Sequence, residues 1–141
     1  MNDCLVCYID TDGVNKYTTC DSSDYIDEKD EFDIAAYAAD NGLSISSITN
    51  VFNKRDNLIS KSYNEKERFE NYCTFYGFEK GDYKAQVRYV QTNEILIFTG
   101  FLPRNRKYKA LLRNAQTGKC IKATLDYVKR NIIGQKENNI L

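Results

Sequence analysis

Histidine and tryptophan are missing from this chain of 141 residues, and proline and methionine occur once each. Without histidine there is no Ser-His-Asp or Cys-His nucleophile and no imidazole zinc ligand. The side chain that most often serves as a general acid–base is also gone. No apolar run approaches the roughly 20 residues that a transmembrane helix needs, so no membrane partner is expected. The cysteines, Cys4, Cys7, Cys20, Cys73 and Cys120, are odd in number. With no signal peptide in the sequence, free thiols in a reducing cytoplasm are expected. Cys4-x-x-Cys7 lacks a second such pair, and in a strand residues three apart face opposite ways, so no metal and no cofactor is expected. Asp10-x-Asp12 has no third acid at a recognisable spacing, and a turn beside Gly13 accounts for it. The chain reads as non-enzymatic.

Charge is plentiful and sorted by sign, although 20 basic and 20 acidic residues cancel. Up to Gly42, 11 acids face Lys16 and Lys29; after residue 80, 12 bases face 4 acids. Such asymmetry implies a polyanion partner for the basic end or a basic partner for the acidic end. The simpler alternative is two halves that attract and neutralise each other. Residues 1–78 form an acidic hairpin plus helical region and 79–141 a basic, small β-barrel-like region, as two units or one compact domain. The abundance of Asn, Ile, Lys and Tyr fits an AT-rich genome, such as that of a phage or mobile element.

The pattern predicts an α+β chain. Cys4 to Ile9 and Val14 to Cys20 form an N-terminal hairpin across Asp12-Gly13. Asp21 to Glu31 is an acidic loop. Ile34, Tyr37 and Ala38 share one helix face, Gly42 ends that helix, and Ser44 caps a second whose apolar face is Ile48, Val51 and Phe52. A third helix, Glu65 to Tyr76, completes a three-helix unit containing a helix-turn-helix. From Asp82 the period becomes two, giving strands over 83–89, 94–99, 108–113 and 121–125. They are expected to curl into a small antiparallel sheet or barrel, SH3- or OB-like, before a C-terminal helix capped by Asp126.

From Ala38 to Asn53 the chain resembles the DNA-binding unit of the lactose-repressor family. Gly42, Leu43, Ser44, Ser47, Ile48, Thr49, Val51 and Asn53 fall in register with it. Asn41 and Ile45 depart from its usual residue types, and no sugar-binding domain follows. The resemblance implies that Ile45, Ser46 and Asn50 meet base edges, with Ser44, Ser47 and Asn53 near phosphates.

On the strands, Lys84 and Arg88, then Lys107, Lys109 and Arg113, then Lys122, alternate away from the apolar face. Arg104 and Arg106 extend this set from a loop. Together they are expected to make one basic surface for nucleic-acid backbone. The sequence therefore reads as a nucleic-acid-binding regulator, with a homodimer reading two half-sites. The alternative is an anti-CRISPR-type inhibitor of a host RNA-guided nuclease. There Asp24, Asp27, Glu28 and Glu31 would occupy the basic nucleic-acid groove of that protein.

Overall fold

A hairpin begins the structure, a computed structural model that describes residues 3–26, 31–53, 64–102 and 106–133. Strand β1 (Cys4–Ile9) pairs antiparallel with β2 (Asn15–Cys20), from Cys4 opposite Cys20 to Ile9 opposite Asn15. The turn is wider than two residues. Asp10 closes it by accepting the backbone N–H groups of Asp12 and Val14, each at 2.9 Å. Gly13 takes the left-handed conformation this requires, at φ +79°.

Helix α1 (Ile34–Asn41) follows. Asp33 caps it by accepting from the Ala36 N–H at 3.1 Å, and Gly42 ends it at φ +64°. The second helix of the expected helix-turn-helix does not form. Ser44 caps a single 3-10 turn, Ile45–Ser47, and the chain then extends as β3 (Ile48–Asn53). β3 pairs antiparallel with β1, giving the sheet order β2-β1-β3.

A bulge explains how a strand carries a helical spacing. Tyr8 pairs with Ile48 and Cys7 with Asn50, so Thr49 is left over. The extra residue turns both Ile48 and Val51, three apart, onto the core side, where both are buried. Ile, Thr, Val and Phe favour this extended backbone, and β1 supplies the partner that propensity alone does not reveal.

Helix α2 (Glu65–Tyr72) is capped by Asn64, which accepts from the Glu67 N–H at 3.0 Å. Beyond it lie β4 (Gln86–Tyr89), β5 (Glu94–Phe101), β6 (Ala110–Arg113), β7 (Cys120–Ala123), α3 (Leu125–Asn131) and the short β8 (Ile132–Ile133). Thr124, rather than Asp126, caps α3, accepting from the Tyr127 N–H at 3.0 Å. The five strands form an antiparallel sheet in the order β7-β6-β5-β4-β8. Its end strands β7 and β8 are not paired with each other, so among the described residues it is an open sheet, not an SH3- or OB-like barrel.

Two cores meet at this sheet. One gathers Val6, Tyr37, Ile48, Val51, Leu102, Leu111 and Cys120 around the alanines of α1. The other is aromatic, with Phe69, Phe78, Phe98 and Phe101 joined by Leu96, Leu112 and Val128. Leu111 and Leu112 are adjacent on β6, point to opposite faces, and are both 0% exposed. The larger sheet is therefore the middle layer at β6, with α1 and the smaller sheet on one side.

Candidate functional site

That layering decides where the predicted basic surface points. Leu111 pairs with Lys122 and shares its side of the sheet, the side on which α1 packs. Lys122 thus faces the acidic half of its own chain. At the C-terminal end of α1 the Asp40 carboxylate accepts from Lys122 Nζ at 2.7 Å and from Arg106 Nη1 at 3.0 and 3.1 Å. Tyr25 Oη donates to the same carboxylate at 2.8 Å. Arg106 Nη2 reaches the Asp24 carbonyl at 3.2 Å. Ser23, Asp24, Tyr25, Asp40 and Arg106 line a recess of about 380 Å³.

Burial pushes the Asp40 carboxyl up, but hydrogen bonds from Lys122, Tyr25 and Arg106 outweigh it and hold its pKa below the ordinary value. Burial, with the hydrogen bond to Asp40, drives the Tyr25 phenol upward. Tyr25 is therefore a proton donor at neutral pH, and Asp40 is saturated as an acceptor. The arrangement is an ionic clamp between the two halves of the chain.

A second clamp holds Arg113. Its Nε and Nη2 donate to the Glu65 carboxylate, each at 2.9 Å, and Tyr83 Oη donates there at 2.7 Å. Burial raises the Glu65 carboxyl, and the Arg113 and Tyr83 hydrogen bonds more than offset it, leaving the pKa lowered. The Tyr83 phenol is pushed up to about 12, chiefly by burial. A third pair, Arg68 to Asp33 at 2.7 Å, ties α2 to the cap of α1.

The remaining predicted cations are spread out. Lys84 sits in a turn before β4 at φ +64°, and Arg88 on β4 donates to Asn93 at 3.3 Å. Two strands, β5 and β6, separate β4 from β7. Lys107 and Lys122 both lie over the Tyr108 ring, at 5.6 and 5.9 Å from its centroid. Lys109 is half-buried, and its carbonyl accepts from the Leu102 N–H. Arg104, Asp27 and Glu28 lie outside the described residues; Asp24 lines the recess and Glu31 is exposed.

The residues assigned to base reading do not share a helix. Ser44 Oγ accepts from the Ser47 N–H at 3.2 Å and lies 2.8 Å from Ser46 Oγ. Ile45 packs against the first core, and Asn50 sits in β3 opposite Cys7. The recognition helix implied by the lactose-repressor resemblance is thus corrected to one 3-10 turn and a strand.

A surface that the sequence reading passed over lies on the smaller sheet. Val6 points into the first core and Cys4 is buried on the same side of the strand, so Leu5, Cys7 and Ile9 point the other way. Leu5 pairs with Phe52, and Cys7 with Tyr17. Leu5, Cys7 and Phe52 are half-buried; Ile9 is exposed and Tyr17 is 75% exposed. None of them belongs to either core. The signal was present: CLVCYI, like EILIFT, is apolar at successive positions, the mark of a strand with two faces to cover.

Comparison with protein-family models, curated proteins and solved structures finds no match to this chain. Among the described residues no three His, Cys, Asp or Glu side chains are placed to share a metal ion, and no helix is long and apolar enough to cross a membrane.

Proposed function

We propose that this chain is a non-enzymatic partner-binding protein whose acidic N-terminal half docks on a basic protein surface. The nucleic-acid groove of an RNA-guided nuclease is the kind of surface it fits. What supports this reading is how the charges are used. Arg106, Lys122 and Arg113 are held by Asp40 and Glu65 at 2.7 to 3.1 Å, inside the molecule's own fold. From Asp3 to Asp24, by contrast, five aspartates accompany one lysine. Hydrogen bonds from the Ser22 hydroxyl and backbone N–H hold the Asp3 carboxyl below its ordinary pKa, so it stays charged at neutral pH.

A second reading, binding of nucleic-acid backbone, draws on the two lysines over Tyr108. One titration separates the two. The chain is added to a guide-free RNA-guided nuclease, and separately to a labelled DNA duplex, at low and high salt. The first reading expects binding to the nuclease that competes with guide RNA and weakens with salt. It also expects loss of that binding when Asp24, Asp27, Glu28 and Glu31 are neutralised together. Unchanged binding by the neutralised variant overturns it. Binding to the duplex instead, weakened by Lys107→Glu, favours the second.

A further inference from the structure

We infer that the outer face of the three-stranded sheet, formed by Leu5, Cys7, Ile9, Tyr17 and Phe52, is the apolar centre of a docking surface for a basic, amphipathic segment of a partner protein. The inference rests on the acidic-docking reading and names the surface used. A single sheet must bury a face to be stable, and the inner face of this one meets that need with Val6, Ile48 and Val51. Among the described residues no layer packs on the outer face, yet it carries five large or apolar side chains. Scattered exposed apolar residues are ordinary; a contiguous set across three paired strands marks an interaction site.

The pairing register makes this set contiguous. Phe52, Leu5 and Thr19 lie in one row across the sheet, and Asn50, Cys7 and Tyr17 in the next. Directly opposed side chains sit about 5 Å apart, so the two rows form one surface. Tyr17 is a rigid, amphipathic anchor of the type that dominates interface energetics.

Charge identifies the occupant. Asp3 and Asp21 flank one end of the hairpin, and Asp10 and Asp12 the other. Asp10 is paired with Lys16, the one cation of the hairpin, at 3.0 Å, so the rim's charge rests on Asp3 at one end and Asp12 at the other. An acidic rim around an apolar centre complements a segment that alternates apolar and Lys or Arg side chains. A second copy of the chain would set two like-signed rims against each other.

Cys7 reports directly on this face. Cys4, Cys73 and Cys120 are buried, and the Cys20 thiol, on the core side of β2, is pushed up to about 12 chiefly by burial. Thiol labelling of a Cys20→Ser variant at neutral pH therefore reads Cys7. The probe is a peptide of about eight residues, a strand's length, alternating Lys and Val. Controls replace Val by Ser, or Lys by Glu. With Lys-Val peptide at about ten times its Kd, Cys7 labelling is expected to slow about tenfold, as the free fraction falls.

Neither control is expected to protect Cys7, and Tyr17→Ser with Ile9→Thr should remove the protection. Those positions are exposed, so the variant keeps its fold, which its thermal transition checks. Equal protection by the Lys-Ser or Glu-Val peptide overturns the inference. So does protection on concentrating the chain alone, which makes a second copy the occupant. If both lysine peptides bind, as read by anisotropy, yet leave Cys7 reactive, acidic docking stands and this face is not its centre. If neither binds, both fall.

Discussion

β1 and β6 are both apolar on successive positions, and among the described residues β6 is covered on both faces and β1 on one. Leu111 and Leu112 are each 0% exposed, one in each core. On β1, Val6 reaches 0% while its neighbours Leu5 and Cys7 remain half-buried with no layer over them among the described residues. The difference separates apolar surface used for folding from apolar surface left for another molecule. The charges follow the same division. Around β6 and β7 the cations close on the chain's own carboxylates, and around β1 and β2 the aspartates line the rim.

Truncation breaks the comparison most sharply. Leu111→Ala and Leu112→Ala should each cost about 3 kcal/mol, because each leaves a cavity in a packed core. Leu5→Ala should cost well under half of that, about 1 kcal/mol, since a half-exposed side chain loses less transfer energy. Urea denaturation with an unchanged m-value measures all three. A cost for Leu5→Ala equal to that for Leu111→Ala would mean that the outer face is covered after all.

The clamps come next. Asp40→Ala leaves Arg106, Lys122 and Tyr25 without their shared acceptor, and about 1–2 kcal/mol should be lost. The loss should shrink with added salt, because the cluster is part-exposed.

Acid sharpens the same point. Asp40 and Glu65 both have folded pKa values below their ordinary ones, 3.8 and 4.5. Below those values the unfolded chain binds protons more readily, so stability is complete above them. It falls as pH drops through them toward the lower folded values. Urea midpoints followed from neutral pH down should show this decline, and Asp40→Asn with Glu65→Gln should flatten it.

The smallest effect on stability is expected at Tyr17. Tyr17→Ser should change it by no more than about 0.5 kcal/mol, as exposed substitutions do. The same variant should show the largest loss of binding to a basic partner.

Much of the local structure was legible in the residues. Gly42 ends α1 and Ser44 caps the turn after it, as their chemistry predicts, and the alternating strands form, with Lys84 falling in the turn before β4. β3 was not legible, because Ile48 and Val51 have helical spacing and the bulge at Thr49 mimics it in a strand. Only the long-range partner β1 decides between the two. The charge surface failed differently. Alternation shows which side chains share a face, and it does not show what covers that face. Lys122 was correctly phased away from Leu112, and that side is where α1 brings Asp40. The outer face of β1 is apolar in the sequence, but nothing local to CLVCYI shows what would cover it.

The central claim is that Arg106, Lys122 and Arg113 are engaged by the chain's own Asp40 and Glu65 rather than offered to a polyanion. Fluorescence anisotropy of a labelled DNA duplex titrated with the native chain at low salt tests it most directly. The account predicts no saturable binding to the native chain, and the appearance of weak, salt-sensitive binding once Asp40→Asn and Glu65→Gln release Arg106, Lys122 and Arg113. Tight, saturable binding by the native chain, unaltered in that variant, would contradict it.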